Sequence, residues 1–343
     1  MKQTNSFNPY KCLLYKDYFD GIIKNRLRPP IEVNIDPITT CNQKCVWCNA
    51  WRVLDHSSIP IEDMELLLRE LEVWGVKAIC FAGGGEPSLY LQLAQVLDRC
   101  TAMGLETSMI SNGSRWSNLL IEAMAKNMRW IGISVDAGTR DTFKSTKQVD
   151  HFDQVIGNIT ALVQKRKELN SKIGITFKYL IHTMNQHEIL TACKLAKRIG
   201  CDSFHVRPVD FLAFLKQEEQ LDIEGINKQV RECEKLKNDH FDVIPYFINF
   251  DKELHRKIEF DKCRLSPLLG ICLPSGWWIC IDQKGKEGLK LCEVNEIRKF
   301  WGSQKHLEIL NSINPKDCGK CTLAKYYPWF EAYEKDSFYW KFV

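Results

Sequence analysis

Cys41, Cys45 and Cys48 lie together in the run Cys-Asn-Gln-Lys-Cys-Val-Trp-Cys. Thiolates hold zinc and iron–sulfur clusters. Three of them on one short loop ligate three irons of a four-iron cubane and leave the fourth iron open to a small molecule, whereas the clusters of electron carriers are fully ligated. Zinc is the competing reading, with His56 near enough in sequence to be a fourth ligand. The Cys-x3-Cys-x2-Cys spacing is not the paired Cys-x2-Cys usual for zinc. Context also favours a cluster, because Ile31-Glu-Val-Asn-Ile35 reads as a buried strand and the cysteines follow it at once. Trp47, directly before the last cysteine, is where an aromatic ring would pack on an adenine.

Further chemistry-bearing residues follow at regular intervals. Gly83-Gly-Gly-Glu-Pro87 puts glycines where backbone must approach a ligand and sets a carboxylate beside them that would receive an ammonium. Ser111-Asn-Gly113 and Ser134-Val-Asp136 end two later strands; their polar groups suit ribose hydroxyls or a carboxylate, and both are also ordinary turn chemistry. Lys178, His182, His205, Arg207 and Asp210 end the next two and would line a substrate cavity, with Lys178, His205 and Arg207 the candidates for catalysis. The planar fork of Arg207 suits a carboxylate, a phosphate or sugar hydroxyls. Near the C-terminus, Cys272 and Cys292 flank an expected hairpin, and Cys318-Gly-Lys-Cys321 closes the set; four thiolates suffice for a closed cluster or a structural zinc. Cys263 and Cys280 remain over, and either one would serve in place of Cys272.

Cys41, Cys45, Trp47 and Cys48 meet in full the Cys-x3-Cys-x-aromatic-Cys signature of the radical S-adenosylmethionine superfamily, which the chain resembles from about residue 31 to 325. The resemblance implies a [4Fe-4S] cluster whose open iron binds S-adenosylmethionine, and reductive cleavage of that cofactor to a 5′-deoxyadenosyl radical. It also implies that Gly84, Gly85 and Glu86 hold the methionine amino group, that Asn112 and Ser134 line the cofactor pocket, and that an external donor of flavodoxin or ferredoxin type supplies the electron. The late cysteines resemble the auxiliary-cluster extension of such enzymes. No cysteine occurs between 322 and 343, so the shorter twitch form with one auxiliary [4Fe-4S] cluster fits better than the two-cluster SPASM form. Three activities compete: oxidation or rearrangement of a small polar molecule such as a sugar, aminocyclitol or nucleoside; crosslink or thioether formation in a ribosomal peptide; and non-catalytic electron carriage. Only thirty residues precede the first strand, which leaves little room for a peptide-capture domain and tilts the expectation toward the small molecule.

These residues need a scaffold that brings the ends of several strands together. Short β-rich runs at 31–35, 76–82, 105–110, 130–135, 173–181 and 203–208 alternate with helical stretches near 61–74, 89–103, 117–127, 153–169, 187–199 and 221–238. Six such units predict an α/β fold, a partial (β/α)6 TIM-like barrel open on one side, with ligands at the C-terminal ends of its strands. Leu66, Leu67, Leu68, Leu71 and Trp74 mark the apolar face of the first of these helices. The expected organisation is an N-terminal arm (1–30), the barrel (31–250), a small Cys-rich extension (251–325) and an aromatic tail (326–343) that packs back on the body or on a second subunit.

Composition sets the outer limits. The 343 residues are enough for a large core, 45% are hydrophobic and 26% charged, and no apolar run is long enough to span a membrane. Met1–Tyr10 lacks the plan of a signal peptide, so a cytoplasmic location is expected. Fifteen cysteines in a reducing compartment point to metal ligation rather than disulfides. Cys12, Cys80, Cys100, Cys193, Cys201 and Cys233 lack partners and are expected as small core residues. A net charge of +4 without long blocks of one sign gives no strong nucleic-acid footprint.

Overall fold

The computed structural model describes residues 14–48, 50–209, 221–245, 258, 260–319 and 321–334. Helix α1 (Lys16–Ile23) precedes strand β1 (Glu32–Ile35), and helix α2 (Ile61–Trp74) returns the chain to β2 (Ala78–Phe81). Met64, Leu67, Leu68 and Leu71 recur at one-face helical spacing and are fully buried in α2, each contributing about 1.5–3 kcal/mol of burial. Leu66, expected on that face, is 46% exposed, because it falls between the turns that meet the sheet. Gly75 ends the helix at φ +94°, where its N–H reaches the carbonyls of Leu71 and Glu72.

The same unit repeats around the sheet. Helices α3 (Leu93–Ala102) and α4 (Asn118–Asn127) lead to β3 (Glu106–Ser111) and β4 (Met128–Ser134), and α5 (Arg140–Lys147) with α6 (Phe152–Glu168) leads to β5 (Gly174–Ile181). Helix α7 (Ile189–Ile199) precedes β6 (Ser203–Pro208), and α8 (Ile223–Glu234) precedes β7 (Asp242–Pro245). Strands β1 to β7 are parallel neighbours in chain order. The fold is α/β and consistent with a partial TIM-like barrel. All six expected strands are present, each within two residues at either end.

The structure corrects the expected layout in three places. A seventh parallel strand, β7, follows the sixth. Helix α5 was not expected, since its sequence Arg-Asp-Thr-Phe-Lys-Ser-Thr-Lys has almost no apolar face. The Cys-rich segment continues the same sheet: β8 (Leu269–Leu273) pairs in parallel with β1, then β9 (Gly276–Trp278) and β10 (Lys290–Cys292) add antiparallel strands. The sheet runs β10-β9-β8-β1 through β7 and is open, with β7 and β10 as its edges.

Alternation along the strands separates an outer layer from an inner one. In β5, Ile175, Phe177, Tyr179 and Ile181 are buried, and Phe177 and Tyr179 meet Phe204 of β6, whereas Thr176, Lys178 and Leu180 face the other side. Helix α7 contacts both strands, so the helices cover the Phe177 side and the Lys178 side is the barrel interior. Cys80, Cys100, Cys193, Cys201 and Cys233 are buried as expected. After α9 (Gln304–Ser312), helix α10 (Tyr327–Glu334) carries the start of the aromatic tail back onto the body, where Phe330 packs on Phe19 (4.9 Å) and Tyr327 stacks on Phe260 (4.0 Å). Cys12, Asp210 and the end of the tail lie outside the described residues.

Candidate active site

The cysteine loop follows β1 at the C-terminal end of the sheet. Its backbone is clamped to the end of α5: Lys44 N–H donates to Lys147 O (3.1 Å) and Val46 N–H to Thr146 O (3.0 Å). Cys41, Cys45 and Cys48 are free thiols that lie within electrostatic reach of one another. Burial pushes the Cys41 thiol up to about 11 and also raises Cys45, although the Lys147 ammonium pulls Cys45 back. Trp47 is turned inward and stacks on His182 (5.1 Å, 29°). His56, the fourth ligand of the zinc reading, is exposed, with Nδ1 3.5 Å from Thr40 Oγ1. Among the described residues no three His, Cys, Asp or Glu side chains converge closely enough for a single metal ion. A cubane is wider than one ion, and three thiols within electrostatic reach of one another, with Cys45 Sγ 3.6 Å from Gln43 Oε1 and the buried Gln43 Nε2 without a partner, fit it.

The glycine loop presses against this one. A Cβ on Gly85 would lie 2.3 Å from Thr40 O, and Glu86 N–H donates to that same carbonyl (2.9 Å). Buried Glu86 is the hub of the strand ends: Oε1 accepts from Ser88 Oγ (2.7 Å) and Ser111 Oγ (2.6 Å), and Oε2 from Asn112 N–H (2.7 Å). Burial raises its pKa and these hydrogen bonds oppose the rise. Asn112 donates from Nδ2 to Asn42 Oδ1 (2.9 Å), tying the end of β3 to the cysteine loop. At the end of β1, buried Asp36 accepts on Oδ2 from Gly84 N–H (2.5 Å) and from the Lys284 ammonium, while its Oδ1 has no hydrogen-bond partner.

Register brings the substrate-side candidates into one row. Ser134 of β4 opposes Lys178 of β5, which opposes His205 of β6, and Arg207 sits two residues further along on the same face. Burial, then the charges of Lys178 and Arg207, hold the His205 imidazole down at about 3, so it is neutral across the physiological range. The Lys325 charge adds to the same effect.

The late cysteines fall into two groups. Cys272 lies inside β8 and Cys292 inside β10, on either side of Trp277 of β9. Cys272 senses Asp36 and Cys292, and none of the other late thiols. Cys318 and Cys321 sense each other's region through Cys263, and Cys280 also senses Cys263. Burial raises Cys263 and Cys318, and pushes Cys280 and Cys321 up to about 12. Asp282, two residues after Cys280, accepts from Thr322 N–H and Thr322 Oγ1, both at 2.6 Å, which binds the hairpin to the Cys318–Cys321 loop.

Sequence reasoning passed over Asp36, Lys147 and Lys284. Asp136, in the left-handed region at φ 58°, pairs with the Lys147 ammonium; both are almost completely buried. A lone Lys in a polar helix carries no local signal, and neither does a Lys in a turn.

Residues 35–196 match the family model described as Radical SAM superfamily. Proteins of this family use a [4Fe-4S] cluster with S-adenosylmethionine. A "Probable GTP 3',8-cyclase" of Saccharolobus islandicus is 24% identical over 221 residues, 62% of this chain and 70% of that protein. One of the same name from Metallosphaera sedula is 26% identical over 182 residues, 52% of this chain and 56% of that protein. Streptococcus suis SuiB bound to S-adenosylmethionine shares the fold at TM-score 0.66 and 20% identity, over 94% of this chain and 78% of that one. Native anSMEcpe with bound AdoMet and Cp18Cys peptide does so at TM-score 0.60 and 14% identity, over 89% and 97%. Among the described residues no helix is long and apolar enough to cross a membrane.

Proposed function

We propose that this enzyme oxidises or rearranges a small polar substrate bearing an anionic group, a sugar, aminocyclitol or nucleoside derivative, with one auxiliary [4Fe-4S] cluster assisting. When bound to three thiolates, the first cluster supplies an open iron and the electron that frees a 5′-deoxyadenosyl radical from S-adenosylmethionine. Cys41, Cys45 and Cys48 hold it. Gly84, Gly85 and Glu86 shape the pocket for the methionine amino end, Asn112 and Ser134 its other polar groups, and Trp47 its wall. The auxiliary ligands we assign are Cys263, Cys280, Cys318 and Cys321, in place of Cys272 and Cys292, because Cys280, Cys318 and Cys321 all lie within electrostatic reach of Cys263, whereas Cys272 is within reach of Cys292 instead.

The observation that carries the substrate reading is the interior row of Lys178, His205 and Arg207. Two cations and a neutral imidazole in one row on the inner strand faces favour a carboxylate or phosphate, with Arg207 offering a bidentate fork. The relatives named for a GTP reaction agree with an anionic, nucleotide-sized substrate. Whether the net outcome is an oxidation decides between oxidoreductase and cyclase-type chemistry. An external flavodoxin- or ferredoxin-type donor and a cytoplasmic setting complete the reading.

The test is anaerobic incubation of the iron-reconstituted protein with S-adenosylmethionine and dithionite. Formation of 5′-deoxyadenosine is expected, and its absence would leave an electron carrier. Phosphorylated candidates should accelerate cleavage more than their dephosphorylated forms, and Arg207→Gln should abolish that difference; acceleration by a peptide alone would move the substrate to the maturase class.

A further inference from the structure

Lys284 and Asp36 meet across almost the whole chain. Asp36 directly follows β1, ahead of the cysteine loop, and Lys284 belongs to the Asp282–Gly285 turn of the C-terminal hairpin, 248 residues later. The ion pair is nearly dry: the Asp36 side chain is 1% exposed and that of Lys284 16%. The oxygen that takes the Lys284 ammonium also takes Gly84 N–H. That loop has no slack, since a Cβ on Gly84 would meet Val53 Cγ2 at 2.6 Å and one on Gly85 would meet three backbone atoms of residues 38–40 within 2.7 Å. The turn is anchored at its other end, where Asp282 holds Thr322, the residue after Cys321. One short turn therefore grips the Cys318–Cys321 loop on one side and the carboxylate under the glycine loop on the other.

We propose that Lys284 is a positioning residue for S-adenosylmethionine: by pairing with Asp36 it holds that carboxylate aimed at Gly84 N–H, and so fixes the glycine loop from the C-terminal extension. A buried carboxylate without a counter-ion is strained toward neutralisation or solvent, and in either case Gly84 loses a charge-assisted acceptor. The extension then forms part of the cofactor site rather than an appendage to it. The inference rests on the functional reading above for its ligand, but not for the ordering of the loop.

The test uses the full-length, iron-reconstituted protein with Lys284→Met and Lys284→Arg, and two readouts. Hydrogen exchange of the peptide spanning residues 82–90 needs no ligand; it should speed up in Lys284→Met and return close to wild type in Lys284→Arg. Equilibrium dialysis with labelled S-adenosylmethionine should show affinity reduced roughly tenfold or more in Lys284→Met and largely restored in Lys284→Arg, with iron content unchanged in both. Unchanged exchange in Lys284→Met overturns the proposal. So does an equal loss in both variants, which would mean that shape rather than charge matters, or a loss of iron in step with affinity. A wild-type protein that fails to bind the cofactor while the exchange pattern holds would sink the enzymatic reading and leave the Lys284 contact supported.

Discussion

Lys147 shows how much of a site a single buried charge organises. Burial alone would pull its ammonium down, yet Asp136 and the thiols of Cys45 and Cys48 more than offset that, and the net shift is upward. It therefore stands as a fixed cation beside Cys45 and Cys48, 5.8 Å from the Trp47 ring centroid. Asp136 spends its other oxygen on Leu180 N–H (2.7 Å), which pins the ends of β4 and β5 together. Removing one partner of such a pair leaves an uncompensated buried charge. Asp136→Asn, which keeps the acceptor for Leu180, should cost about 3–5 kcal/mol, and Lys147→Met a similar amount. The double variant should cost clearly less than the sum, read from urea unfolding midpoints. Strict additivity would mean that the two groups do not depend on each other.

At the scale of elements, the alternation of strands and helices was legible because each outer strand face and each helix face must bury apolar residues at its own period. Strand β7 escaped because Asp-Val-Ile-Pro is four residues long and ends on proline. The union of β8 with β1 escaped because register between Glu32 and Leu269 has no local signature. The cysteine triad and the glycine loop were readable from spacing; the ion pairs of Lys147 and Lys284 were not, since only tertiary packing gives either lysine its partner. Helix α9 carries another such group. His306 is fully buried, its Nδ1 accepts from Gly302 N–H (3.0 Å), its ring meets Trp301 edge-on at 4.7 Å, and its Nε2 has no hydrogen-bond partner. Burial holds its pKa down at about 4, against 6.5 when exposed. The unfolded chain thus takes up the proton first as the pH falls. Stability from this group is complete above 6.5 and is lost progressively between 6.5 and about 4, on the order of 3 kcal/mol. His306→Gln, whose amide oxygen still suits Gly302, should flatten the fall in urea midpoint between pH 7 and 5; an unchanged fall would exonerate His306.

For the whole molecule, the sheet makes barrel and extension one body of structure while keeping their thiols in two groups. Reconstituted protein should hold about eight irons, because seven thiolates suit one open and one closed four-iron cluster. Replacing Cys41, Cys45 and Cys48 with Ala should remove about half, and replacing Cys263 and Cys280 should remove the other half. Changing Cys272 and Cys292 to Ala should leave the iron count intact; a loss there would restore the hairpin pair as ligands. The two clusters then separate by role. With Cys318 and Cys321 both changed to Ala, 5′-deoxyadenosine should still form, because cleavage belongs to the first cluster, whereas substrate conversion should fall much further. Thr322 and Asp282 tie that loop to Lys284, so cofactor affinity must be measured alongside, with near-ultraviolet circular dichroism and gel filtration to establish that the variant stays folded. If affinity holds and conversion still declines only in step with 5′-deoxyadenosine, the auxiliary cluster carries no electron from the substrate, and the four late thiols serve structure instead.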